Sequence, residues 1–226
     1  MDTEQEPVPA RSIPKWLAIA LQTIILVGLG FSVYEQQWLN TVVIVSILLL
    51  TILPALLSRR LAIFIPPEFE LATIAFIFAA LFLGETRNYY DRYWWWDIAL
   101  HATSGGLLGI LGLLLVYILN ETPRVDLHMR PGFVAFFAFC FSVTVGALWE
   151  IFEFAMDGFI GTNMQKPMFD DPSGLTDTMW DLIVDTLGAL VVATLGYVYM
   201  KRGSKSVIAR WIQRFIDGNP RLFSRQ

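Results

Sequence analysis

Gly174-Leu175-Thr176-Asp177-Thr178-Met179-Trp180-Asp181-Leu182-Ile183-Val184-Asp185 runs directly into an apolar stretch, 187–200. Asp177, Asp181 and Asp185 fall four apart, so on a helix they form one stripe. Gly188 continues that stripe and lets another backbone come close. Three carboxylates along one side of a membrane-embedded helix are costly unless a cation or protons meet them. This stretch therefore predicts a helix that crosses lipid, and it raises the question of what balances its charge.

Working outward, the 226 residues are 55% hydrophobic and only 16% charged, the balance of a membrane protein and not of a soluble globule. Six apolar stretches approach the length needed to cross about 30 Å of hydrocarbon: 16–34, 39–57, 69–83, 98–119, 133–154 and 182–200. The third is the shortest and is flanked by Glu70 and Glu85. Helices are expected, because no other open element satisfies its backbone in lipid. The stretch 16–34 is too long for a signal-peptide core and lacks a small-residue cleavage site, so it reads as a retained first helix. The expectation is an all-α, polytopic bundle of six transmembrane helices over 15–200. It is preceded by a disordered acidic segment, 1–14, and followed by a basic tail, 201–226. In that tail Val207, Ile208, Trp211, Ile212, Phe215 and Ile216 recur at helical spacing between Lys205, Arg210 and Arg214, the pattern of an interfacial amphipathic helix. The single cysteine, Cys140, can form no internal disulfide. No basic patch of the nucleic-acid-binding kind occurs in the main body.

Orientation follows from the loop charges. With the N-terminus inside, only Arg87, Arg92 and Lys166 of the sixteen Lys and Arg fall outside. Both termini are therefore expected to be cytoplasmic, in a bacterial inner membrane. The connection 85–96 carries Tyr89, Tyr90, Tyr93, Trp94, Trp95 and Trp96, the composition of a headgroup belt or, alternatively, of an aromatic cage. The connection 157–176 is rich in Gly, Pro and Asp and reads as a solvated loop or a lid.

The ionisable residues of the last three spans group at one level. Asp97 and His101 begin the fourth, Glu150, Glu153 and Asp157 end the fifth, and Asp177, Asp181 and Asp185 begin the sixth. At 1.5 Å per residue all three groups reach the same third of the membrane, on the outer side of the expected topology. Seven acids cannot stay ionised together at low dielectric without compensation. Asp97, His101, Glu150, Asp181 and Asp185 are candidate ligands for a divalent metal ion. Glu153 and Asp177 are candidate general bases toward a metal-bound water. Carboxylates with one imidazole suit Mn, Fe or Zn, and carboxylates alone suit Mg or Ca. The plainer readings are that Asp97 and Asp177 favour a helix start, and that Glu153 and Asp157 stand in water. Ser104 is a candidate nucleophile, but Ser104-Gly105-Gly106 with Gly109 and Gly112 has the look of a small-residue packing face.

Asp97-x3-His101-x2-Ser104-Gly105, Leu148-Trp149-Glu150-x2-Glu153-Phe154, Gln165, and Asp177-Thr178-x2-Asp181-x3-Asp185-Thr186-x-Gly188-Ala189 together resemble the YjdF-type family of bacterial inner-membrane proteins, over 68–199. More loosely, Glu150, Gln165, Asp181, Asp185 and Gly188 are similar to the Glu, Gln, Asp and Gly layout of VanZ-like membrane proteins, with Asp185 where those carry Asn. The VanZ likeness implies a link to glycopeptide resistance.

Three function classes follow. One is a metal-dependent enzyme acting on a lipid or envelope precursor. The second is a cation or proton transporter, which the apolar 113–119, 133–143 and 191–199 disfavour. The third is a non-catalytic scaffold whose polar cluster holds helices together.

Overall fold

The computed structural model describes residues 12–121, 129–166, 168, 171–202 and 207–220. Helix α1 is Ser12–Tyr34 and α2 is Trp38–Leu61. Helix α3, Pro67–Ile77, passes without a break into a more widely wound π-helical segment, Phe78–Thr86. The short α4, Tyr89–Arg92, precedes α5, Trp96–Glu121. Helices α6, Pro131–Ile160, and α7, Leu175–Arg202, complete the bundle, and α8, Val207–Gly218, follows. Six of these are long and apolar enough to span a membrane, the third being α3 together with its π-helical continuation. The fold is all-α and six-span. The lead 1–14 falls mostly outside the described residues, and α1 begins within it at Ser12. Arg11, Arg124, Lys205, Arg221 and Arg225, which enter the charge argument, also lie outside them.

Local chemistry sets the boundaries. Pro67 and Pro131 open their helices at a position where the missing N–H costs nothing. Gly161, at φ 77°, closes α6 in the left-handed region, its N–H donating to Asp157 O. Helix α6 runs past the apolar stretch 133–154, and α7 starts well before 182. In α7, Asp177 and Asp181 interrupt the hydropathy without interrupting the winding, because both are buried within the bundle.

The helices form two groups of three. Helices α1, α2 and α3 pack together around Ile25, Ile44, Ile47 and Phe82. Helices α5, α6 and α7 pack together, α5 most closely on α7, and α3 joins the two groups along α5. One end of the second group is filled by Ile110, Leu113, Leu114, Val116, Val134, Ala138 and Val192.

Helix α8 docks on that apolar end. Phe215 is buried in the same core, Trp211 meets Phe69 edge-on at 6.2 Å, and Arg214 pairs with Glu68. Asn219 clamps the junction: its Oδ1 accepts from Phe64 N at 2.6 Å, and its Nδ2 donates to Phe64 O at 2.8 Å and Phe215 O at 2.7 Å. Trp211, Phe215 and Ile216 of the amphipathic face thus pack against the bundle.

The α5–α7 contact is one of backbone against backbone. A Cβ on Gly105 would overlap the carbonyl of Asp185, and one on Gly188 would overlap that of Ala102. On the other side of α5, a Cβ on Gly112 would stand 2.9 Å from Ala138 Cα, and Ser142 Oγ donates to Gly105 O at 2.8 Å. Small residues permit this proximity, which drives helix association in lipid. Gly188→Leu is expected to destabilise the bundle by about 1–3 kcal/mol through overpacking, read as a lowered melting temperature in detergent. Gly30→Ala, which meets open space, should stay within about 0.5 kcal/mol of the parent.

Candidate metal centre

The tight α5–α7 crossing sets the site. His101 lies only about 7 Å along α5 from its first residue, whereas Asp185 lies about 15 Å along α7, and Glu150 about 15 Å before the end of α6. Helices α6 and α7 therefore overhang α5, and the loop between them stands beyond the cluster.

The His101 ring is the hub. Its Nδ1 is 3.2 Å from Asp185 Oδ2 and 3.7 Å from Glu150 Oε1. Its Nε2 is 3.6 Å from Asp97 Oδ1 and 4.0 Å from Asp181 Oδ2. Three helices thus bring Asp97, His101, Glu150, Asp181 and Asp185 together. Glu153 and Asp177 are buried at the same end. Asp177 Oδ2 accepts the Lys166 N–H at 2.7 Å.

Most of the cluster is withdrawn from solvent, while the Asp97 side chain is 14% exposed. Asp177 and Asp181 are 0% exposed and Glu150 is 3% exposed. Both carboxylate oxygens of Glu150 and of Asp181, with Glu153 Oε2 and Asp177 Oδ1, are buried without a hydrogen-bond partner. Buried polar atoms nearly always have partners, so these six oxygens in and beside the His101 cluster need a cation, protons or water. Among the described residues no Lys or Arg pairs with them: Arg87 lies over Phe82 and Arg92 over Tyr93. One ligand atom each from Asp97, His101 and Asp181 lies within 4.8 Å of the others, a spacing that could hold a metal ion. Two carboxylates with an imidazole fit Zn, Mn or Fe.

Ser104 Oγ lies 2.7 Å from Asp185 Oδ1 and 2.8 Å from His101 O. Its single proton serves one of these acceptors, so it belongs to the support of the cluster. Asp157 does not join the site. It accepts hydrogen bonds from Thr162 Oγ1 and from the backbone N–H groups of Met164 and Gln165 at 2.6–2.9 Å, and so folds the start of the loop back onto α6. Gln165 Nε2 then donates to Thr178 Oγ1 at 2.8 Å, which ties the loop to α7. At the far end of the loop Asp171 Oδ2 accepts from Thr176 N and Oγ1, and Asp171 Oδ1 from Ser173. These bonds hold the Asp171 carboxyl well below its ordinary range.

One neighbour is not evident in the sequence. Tyr90 of α4 rests on Gly84, whose missing Cβ makes room for the ring, and the Lys166 ammonium lies 5.2 Å from the ring centroid. Burial pushes the phenol above its ordinary value, and the charges of Asp97, Glu85, Glu153 and Asp181 push the same way. Tyr90 is thus a neutral hydroxyl within electrostatic reach of the acids. Its signal was hidden among the aromatic residues of 85–96, all of which fit a headgroup belt.

Asp157→Ala is expected to release the loop alone. Proteolysis and amide exchange over 162–166 should rise, while the melting temperature falls by no more than a few degrees.

No solved structure matches the chain. An uncharacterised protein of Thermotoga maritima is 32% identical over 133 residues, which cover 59% of this chain and 64% of that relative. The chain therefore spans less than two thirds of that relative's length. Residues 14–202, from α1 to the end of α7, match the model of the family described as "Predicted membrane protein (DUF2238)", and the chain belongs to that family.

Proposed function

We propose that this membrane protein is a metal-dependent enzyme acting on a lipid or envelope precursor at the outer leaflet of a bacterial inner membrane. Asp97, His101 and Asp181 hold a divalent ion. Glu153 or Asp177, each with a buried oxygen lacking a partner, takes a proton from water at the site. The carrying observation is the set of buried carboxylate oxygens without hydrogen-bond partners, of which those of Glu150 and Asp181 stand beside the His101 ring. The apolar packing of Leu113, Leu114, Val116, Val134 and Ala138 beyond the site favours this over a cation or proton transporter, which needs a polar path onward. A purely structural cluster would need protons or water to meet those six oxygens. The resemblance to YjdF-type and VanZ-like proteins is part of this reading and rests on the same residues. Both termini face the cytoplasm in it, with the basic tail on that side.

Purified protein is expected to retain about one divalent ion per chain by elemental analysis, and His101→Ala and Asp181→Ala to lose it. A parent protein free of stoichiometric metal would remove the enzyme reading. Sidedness is separately testable. In a Cys140→Ser background, Asn163→Cys should react with a membrane-impermeant maleimide in cells with a permeabilised outer membrane, whereas Gln213→Cys should react only after lysis.

A further inference from the structure

Resting on the metal reading above, we infer that Asp185 is not a ligand but a positioning residue, which with Ser104 fixes the His101 ring so that Nε2 faces the ion. The three aspartates of α7 look equivalent in sequence, four residues apart on one stripe. Their surroundings differ. Asp181 and Asp97 stand at the Nε2 edge of the ring, and their oxygens belong to the group within 4.8 Å that could hold a metal. Asp185 stands at the Nδ1 edge, at 3.2 Å.

Asp185 is also the acid that is held in place. Ser104 Oγ reaches its Oδ1 at 2.7 Å, while its Oδ2 faces the ring. Its carboxylate lies against Gly146, where a Cβ would come within 2.6 Å of Oδ2. Its backbone carbonyl is seated on Gly105. Glycines on two other helices thus leave the side chain little room to swing toward the Nε2 edge. Asp181, by contrast, has both oxygens buried without a hydrogen-bond partner. A histidine that ligates through one nitrogen commonly donates the other N–H to a carboxylate, which sets the tautomer and the ring angle. With Nδ1–H donated to Asp185, the Nε2 lone pair points between Asp97 and Asp181.

The test is Co(II) binding to the full-length protein in detergent, followed by stoichiometry, chelator competition and the visible ligand-field spectrum. In Asp185→Ala the stoichiometry should stay at one and the spectrum should keep its shape, with affinity about 10–100-fold weaker. Asp185→Asn, whose amide oxygen still accepts the Nδ1–H, should recover most of that affinity. Ser104→Ala, a smaller change that guards against misfolding of the first variant, should weaken binding several-fold. Loss of the ion in Asp185→Asn, or a bound-Co(II) spectrum that changes shape in Asp185→Ala, would make Asp185 a ligand and overturn the inference. Unchanged affinity in both Asp185→Ala and Ser104→Ala would overturn it equally. A parent protein that binds no Co(II) defeats the metal reading itself, a result legible before any variant is made.

Discussion

The contact between the α5 and α7 backbones is the constraint from which the rest of the structure follows. Gly105 against the Asp185 carbonyl, and Gly188 against that of Ala102, bring the two helices closer than any side chain would permit. At that separation a carboxylate on one helix meets an imidazole on the other without an extended side chain between them. Helix α6 then closes the third side, its Ser142 bonded to the Gly105 carbonyl and its Gly146 making room for Asp185. Small residues thus serve two purposes, dispersion contact between helices and placement of the charged groups.

The second theme is the partition of polarity along the bundle. One end of α5, α6 and α7 holds buried acids and the other holds Leu, Val and Ala, with Phe215 of α8 pressed into it. In lipid there is no hydrophobic gain from moving apolar groups together, so packing and polar links decide how the helices associate. At the apolar end these links are the Asn219 clamp and the Arg214–Glu68 pair. At the acidic end they are the hydrogen bonds that Asp157, Gln165, Lys166 and Asp171 make in the loop.

Much of this is legible in the sequence. Hydropathy locates six spans, because helix is the only open element that lipid tolerates. The spacing of Asp97 and His101, of Glu150 and Glu153, and of Asp177, Asp181 and Asp185 puts each group on one helix face, and the structure brings those faces together. Small residues at Gly105 and Gly188 mark the close crossing. What periodicity could not resolve was which edge of the His101 ring each acid meets, since that depends on the rotation of helices about their own axes. Asp157 has the same spacing as the site acids yet binds loop amides, because α6 carries it past the cluster. Tyr90 sits on an element too short to show a period, and its place depends on the π-helical end of α3 and on Gly84. The amphipathic pattern of α8 fits lipid and protein equally well, and a single asparagine outside the pattern, Asn219, fastens it to the bundle.

The packed apolar end has an electrical consequence. Under the proposed topology a membrane voltage falls mainly across the layer of lowest permittivity, to which Leu113, Leu114, Val116, Val134 and Ala138 belong. If the proposed site takes a cation from the loop side, that ion would cross less of the field than the full thickness, which is worth about 2.3 kcal/mol per unit charge per 100 mV. Occupancy of such a site would then depend more on concentration and ligand chemistry than on how strongly the cell is energised.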